Sequence, residues 1–194
     1  FLAAGMVAWV MVSTIISESC GLFVHGTNLY RQMRLNYSTM AYALVYRNLV
    51  VFVHNLSVFV LICLVFGNAP LGPEILYIFP GLALVLLNGI WIAITLGLFC
   101  LRFRDLQQLI NTLIQIAMFI TPIFWPPESL QGTGRMVFID LNPLFHLIEI
   151  VRAPLLGRAP SIDSWLTAAA MTGVGWAVTF VLFGRFRRRI AYWG

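Results

Sequence analysis

Long apolar runs separated by short polar turns dominate the chain, and each run approaches the ~20 residues that a helix needs to cross a bilayer. The first runs from Phe1 to about Ser17, at the short end of that requirement. The second covers Asn48 to Phe66, with Arg47 at its start and the turn Gly67-Asn68-Ala69-Pro70-Leu71-Gly72-Pro73 after it. The third, Ile75 to Leu101, is longer than a bilayer needs, so Pro80-Gly81 either kinks it or begins the true helix. Arg102-Phe103-Arg104-Asp105 leaves room only for a tight membrane-surface turn before the fourth run, which ends where Pro122 follows Thr121. The fifth is Trp165 to Phe183. The pattern predicts an all-α integral membrane bundle, a single transmembrane domain over residues 1–194 with five visible spans.

Two amphipathic segments interrupt the spans. In Gly26–Thr39, Thr27 or Asn28 can cap a short interfacial helix with Leu29, Met33 and Tyr37 on one side and Arg31 and Arg34 elsewhere. In Asn142–Leu156, Asn142-Pro143 has helix-start chemistry, and Leu144, Leu147, Ile148 and Val151 form an apolar face. His146, Glu149 and Arg152 fall on the other side, read as a solvated face; the segment is too short to span, so it lies on the membrane or dips into it. Pro154 and Gly157 end it.

The fourth run is not uniformly apolar. Gln108, Asn111, Thr112 and Gln115 recur at i, i+3, i+4 and i+7 and therefore share one helix face. Lipid cannot satisfy amides, so that face must meet protein or water. His54 and Asn55 lie about two turns into the second run, where an ionisable group marks a functional or interhelical site. Gly89, Ala93 and Gly97, and again Ala169, Gly173 and Ala177, form small-residue ridges that allow close helix approach.

Composition agrees with the pattern: 60% of the residues are hydrophobic and 10% charged, with mean hydropathy +0.89, against roughly 25% charged in soluble domains. The pI of about 9.6 does not point to nucleic acid, because the charges sit in short loops and report orientation. Arg31, Arg34, Arg47, Arg102, Arg104, Arg185, Arg187, Arg188 and Arg189 fall on one side of the alternating topology; Arg135, Arg152 and Arg158 fall on the other. The first group is therefore expected in the cytoplasm, with the C-terminus. Cys20, Cys63 and Cys100 lack metal or redox spacing and read as small buried hydrophobes.

Enzymatic constellations are lacking: there is no phosphate-binding loop, HExxH, GxSxG or interfacial carboxylate pair, and no metal site is expected. His146, Glu149 and Arg152 are the only set that can be drawn as an acid–base group. No Asp or Glu within a span offers ion coupling, so energy for uphill transport must come from elsewhere.

RFRDL (102–106), TPIFWPP (121–127), NPLFHLIEIVRAPLLG (142–157) and RFRRRIAYW (185–193) together resemble the permeases of polysaccharide ATP-binding-cassette (ABC) exporters, closest to the O-antigen branch. The resemblance covers the whole chain. It implies six spans in full, with a first span and a cytoplasmic amphipathic helix preceding Phe1. It also implies a homodimer in the bacterial inner membrane, a separate ABC ATPase subunit that holds ATP and Mg, and no cofactor in this chain. The implied substrate is a lipid-linked polysaccharide. Asn28, Tyr30, Arg31, Met33 and Arg34 would dock into the ATPase. Arg102, Arg104 and Asp105 would form a cytoplasmic hinge, and Asn142, Pro143, His146, Glu149 and Arg152 an outer gate. Gln108, Asn111, Thr112, Gln115, His54 and Asn55 would line the substrate path, with Phe99, Phe103, Phe119, Phe124 and Trp125 stacking on sugar rings; each aromatic also fits an ordinary lipid-facing position. Rival readings are an exporter of a smaller lipid or drug, a membrane enzyme acting on lipid-linked sugars, and a passive structural subunit.

Overall fold

The computed structural model describes residues 1–33, 37–66, 72–124 and 141–186, with backbone alone at 25–33, 37 and 186. Among them are six α-helices and no strand: α1 (Leu2–Met33), α2 (Tyr37–Val65), α3 (Ile78–Arg102), α4 (Leu106–Ile120), α5 (Pro143–Leu155) and α6 (Ile162–Phe186). A 3₁₀ turn, Pro73–Tyr77, leads into α3, so Pro80 sits in the first turn of that helix and starts it rather than kinking it. Four stretches are long and apolar enough to cross a membrane: Leu2–Val24, Ser38–Val65, Pro73–Arg102 and Ile162–Arg185.

The core is the α1–α3 pair, both more than half buried along their apolar windows, with α2 and α6 laid against α3 and mostly exposed. The Gly89-Ala93-Gly97 ridge makes this seam. A Cβ on Gly89 would meet Ile15 and Val45 at 3.3–3.4 Å, and one on Gly97 would lie 2.8 Å from the Phe23 ring. In lipid there is no hydrophobic force between helices, so this close backbone approach supplies the dispersion contact that holds them. Cys20 and Cys100 are buried free thiols and Cys63 is half-buried.

The second ridge does not behave as expected. Ala169 and Ala177 are exposed and Gly173 has open space before it. The helix instead presents Ala168, Thr172, Gly175 and Thr179 to α3, because that rotation satisfies buried polar groups. Asn88 Nδ2 donates to Ala168 O (3.3 Å) and Thr172 Oγ1 (2.8 Å), Asn88 Oδ1 accepts from Trp91 Nε1 (2.9 Å), and Thr95 and Thr179 share a 2.8 Å hydrogen bond. Gly175 makes room for Trp91, whose ring a Cβ would strike at 2.1 Å.

The expected break after Ser17 is also missing. Helix α1 runs on through Gly26 to Met33 as one piece rather than restarting at an N-cap near Thr27 or Asn28. Ser19 Oγ bonds back to the Ile15 carbonyl and Cys20 Sγ to Ile16 O, so these polar side chains are accommodated without opening the helix.

Helix α4 was expected to span and is too short to do so: its 15 residues reach about 22 Å at roughly 1.5 Å per residue, against a hydrocarbon core of ~30 Å. It stops because Pro122 forces Thr121 into extended backbone (φ −76°, ψ 133°). The chain then turns inward, and Thr121, Pro122 and Ile123 are buried. Non-helical backbone at membrane depth is tolerated only where protein covers it, and α1 and α5 supply that cover. Ile123 lies 3.5 Å from where a Gly5 Cβ would stand.

Candidate functional site

The hinge before α4 is as short as its sequence predicts. Arg102 ends α3, Phe103 turns extended with its N–H still bonded to Phe99 O, and Arg104-Asp105 form the turn. Arg102, Phe103, Arg104 and Asp105 are all exposed, with the Arg102 guanidinium 5.3 Å from the Phe103 ring centroid.

Along α4 the polar stripe splits. Asn111 is half-buried and accepts a 2.7 Å hydrogen bond from Ser17 Oγ of α1. Thr112 Oγ1 bonds its own helix at Gln108 O, and the Gln108 and Gln115 side chains are exposed, with no partner among the described residues. Phe119 and Phe124, at the far end, stack with centroids 6.3 Å apart, and Phe99 on α3 is exposed. Trp125 lies outside the described residues, as do Arg34 and the side chains of Asn28, Tyr30, Arg31 and Met33.

His54 and Asn55 are not brought to this stripe. They lie on α2, which packs on α1 and α3. His54 is exposed; Asn55 is half-buried and borders an open groove of about 320 Å³ with Met6 and Val10 of α1 and Phe59 of α2. Neither side chain has a hydrogen-bond partner among the described residues.

Past α4, the outer segment is assembled differently from its sequence pattern. Asn142 is the N-cap of α5, its Oδ1 accepting from Leu144 N (3.0 Å), and Pro143 occupies the first turn. The helix closes at Gly157 (φ 69°), where Arg158 N bonds Ala153 O at 2.9 Å. His146 and Arg152 do not form a solvated face: both are buried, at 4% and 1% exposure, because α5 is wedged among α1, α3 and α6 and hides nearly all of its surface. His146 Nδ1 lies 3.0 Å from Ser164 Oγ of α6, and Glu149 is half-buried. With His146 and Arg152 buried and Glu149 paired to Arg152, the trio is engaged in structural bonds rather than presented as an open acid–base group.

What the outer segment does instead is hold the end of α4. Asn142 Nδ2 donates to Thr121 Oγ1 at 2.9 Å, and Arg152 NH1 donates to the Pro122 carbonyl at 2.6 Å. Arg152 Nε, at 2.9 Å, and NH2 donate to Glu149 Oε2, and the guanidinium lies 4.5 Å from the Phe1 ring centroid and 5.8 Å from that of Phe145. A cation this deep needs a carboxylate and hydrogen bonds around it. Here it also satisfies a carbonyl left without a helical partner where α4 stops. Sequence reading identified Asn142 and Arg152 but missed Thr121 and Pro122 as their partners. It also missed Ser17, Arg47, Asn48 and Asn88, and it placed Glu18 outside every span, whereas the apolar stretch Leu2–Val24 includes it because α1 does not break at Ser17; buried Asn and Ser in apolar runs were the available signal.

The profile of the family described as ABC-2 type transporter matches residues 1–156. The chain is also similar to "O-antigen export system permease protein RfbA" of Myxococcus xanthus, 25% identical over 190 residues, which is 95% of this chain and 72% of that protein. An apolar helical bundle, polar groups concentrated where one short helix stops within it, and a family match over most of the chain agree. The chain belongs to the ABC-2 type transporter family, as a membrane permease subunit that works with an ABC ATPase and is not itself an enzyme.

Proposed function

We propose that this permease exports a lipid-linked polysaccharide of the O-antigen type across the bacterial inner membrane, as a homodimer with its C-terminus in the cytoplasm. The observation that carries the reading is α4, where Gln108, Thr112 and Gln115 stand exposed and Asn111 fixes their direction against α1. Amides and hydroxyls on such a face can exchange hydrogen bonds with the many hydroxyls of a glycan as it slides, and the exposed Phe119 and Phe124 rings offer it stacking faces. The similarity to an O-antigen export permease supports the same substrate class. The ATPase partner holds ATP and Mg; segment 28–34 docks on it, Arg102–Asp105 acts as hinge, and Asn142, Pro143, His146, Glu149 and Arg152 form the outer gate that α4 works against.

The test is transport of lipid-linked O-antigen in proteoliposomes that hold permease and ATPase subunit facing outward, with ATP added outside and glycan reaching the vesicle interior scored by lectin. Gln108→Leu with Gln115→Leu removes no side-chain hydrogen bond among the described residues and is expected to cut export at least about tenfold at unchanged ATPase binding. Full export by the double variant, or export without any ATPase subunit, refutes the reading.

A further inference from the structure

We infer that a polar layer crossing α2, α1 and α4 couples the segment between α1 and α2 to the α4 stripe. It rests on the reading that this segment docks the ATPase and that α4 lines the path. Glu18 of α1 is its centre. Glu18 Oε2 receives Asn48 Nδ2 at 2.7 Å and pairs with Arg47 NH2 at 2.7 Å, both from α2. Asn48 is buried and keeps a second bond to Leu44 O at 3.0 Å, so its amide is fixed in direction. The neighbouring residue on α1, Ser17, donates to Asn111 Oδ1 of α4 at 2.7 Å.

The layer lies at one depth. Glu18 is six residues before Val24, where the apolar stretch of α1 ends, and Asn111 is six residues past Asp105, in the turn that starts α4. At roughly 1.5 Å per residue both stand about 9 Å inside the same membrane face. The Arg47 and Glu18 side chains are 63% and 36% exposed, so their ion pair stands at the surface of the bundle, and the buried element of the layer is Asn48. The Asn48 bond, buried and doubly anchored, makes α1 and α2 one body above the segment that joins them.

Helix α4, by contrast, is held at its turn by the chain, at its far end by Asn142 and Arg152, and in its body by Ser17. A push that displaces α1 and α2 together therefore reaches α4 through Ser17–Asn111 before it reaches the outer clamp. Glu18, Asn48 and Arg47 are positioning residues in this scheme, and Ser17 transmits. Such a claim of coupling stands only on a two-state readout that both ends bias.

The experiment uses the complex with its ATPase subunit in lipid nanodiscs, carrying genetically encoded spin labels at the exposed positions Val53 of α2 and Leu113 of α4. Their distance is compared between the nucleotide-free and vanadate-trapped states. Wild type is expected to show a nucleotide-dependent change, Ser17→Ala to reduce it to less than about half with the ATPase still bound, and Ser17→Thr, which keeps the hydroxyl, to restore it. Asn48→Ala carries the same test through the α1–α2 half should Ser17→Ala fail to assemble. A response in Ser17→Ala and Asn48→Ala equal to wild type overturns the layer and leaves the export reading intact. A wild type that binds the ATPase yet shows no change overturns the layer as well, and failure to bind any ATPase overturns both.

Discussion

Replacing Arg152 by Met keeps most of its volume and removes its charge and donors. In the native chain the guanidinium is 1% exposed, bonds Glu149 and the Pro122 carbonyl, and lies over the Phe1 ring. Breaking a buried ion pair from one side costs about 3–5 kcal/mol because the other charge stays behind. Glu149, with a side chain 24% exposed, can recover some hydration, which favours the lower end. The Pro122 carbonyl has no such escape: it lies in buried, non-helical backbone and loses its donor, worth about 1–3 kcal/mol by itself. Typical interhelical hydrogen bonds in membranes contribute only ~0.6 kcal/mol, since the unfolded chain in lipid finds other partners; a carbonyl created by Pro122 is a harder case. The expected loss is about 3 kcal/mol, or roughly 6–12 °C in Tm for a chain of this size. Thermal unfolding of the purified permease in nanodiscs checks it. Arg152→Lys should fall between, because an ammonium lacks the planar fork that serves Glu149 and Pro122 together. Arg152→Met within about 1 kcal/mol of wild type, or Arg152→Lys without any cost, would show that the α4 terminus does not depend on this residue.

The α3–α6 seam gives two further checks by the same unfolding measurement. Gly175→Ala forces a methyl into the Trp91 ring at 2.1 Å and should destabilise by about 1–3 kcal/mol, whereas Gly173→Ala, two residues away in open space, should stay within about 0.5 kcal/mol. Asn88→Leu removes the donor to Ala168 O and Thr172 and strands the Trp91 N–H, for an expected loss of about 1–3 kcal/mol; an unchanged Tm would place the seam's stability in its apolar contacts.

Much of the architecture is legible in the sequence because the bilayer imposes a length on every apolar run. Runs one, two, three and five lie in helices long and apolar enough to cross a membrane, and the Arg102–Asp105 turn and the Asn142-Pro143 helix start fell where their residues place them. Three readings failed for identifiable reasons. Helix α4 ends at Thr121-Pro122 as its sequence predicts, but its 15 residues between the Arg102–Asp105 turn and that proline are too few to span, and the run reads as a span on its apolarity alone. The α6 ridge of Ala169, Gly173 and Ala177 looked like a packing face, but hydrogen bonds from Asn88 and Thr95 to Thr172 and Thr179 outweigh small-residue packing and rotate it outward. His146 and Arg152 looked solvated because helical periodicity sorts residues into two faces; a helix wedged among three others has no outer face to give them. Which polar residues meet across helices was illegible, since Ser17 and Asn111 are 94 positions apart and only the fold brings them together.

The Ser17–Asn111 bond also constrains where a path can run. At 3.6 residues per turn, Gln108 and Gln115 lie about 60° and 40° around the helix from Asn111, with Thr112 about 100° away. Since Asn111 is pinned to α1, the two glutamines lie together along one side of the α1–α4 seam, with Thr112 farther round on that same side. Rotating α4 to put the stripe elsewhere would strand the Asn111 amide in lipid, which offers it no partner, while the Ser17 hydroxyl could still bond back to its own helix as Ser19 does. Leaving Gln108 and Gln115 against lipid has the same cost, and neither has a partner among the described residues. The face beside the α1–α4 seam must therefore be covered by water, by another polypeptide or by a polar substrate. The far end of that face meets Thr121 and Pro122, which Asn142 and Arg152 hold. If the proposed path follows this face, it begins at the exposed turn and ends at a clamped, buried one, closed at that end. Opening it requires the bonds from Asn142 and Arg152 to break or move together with α4.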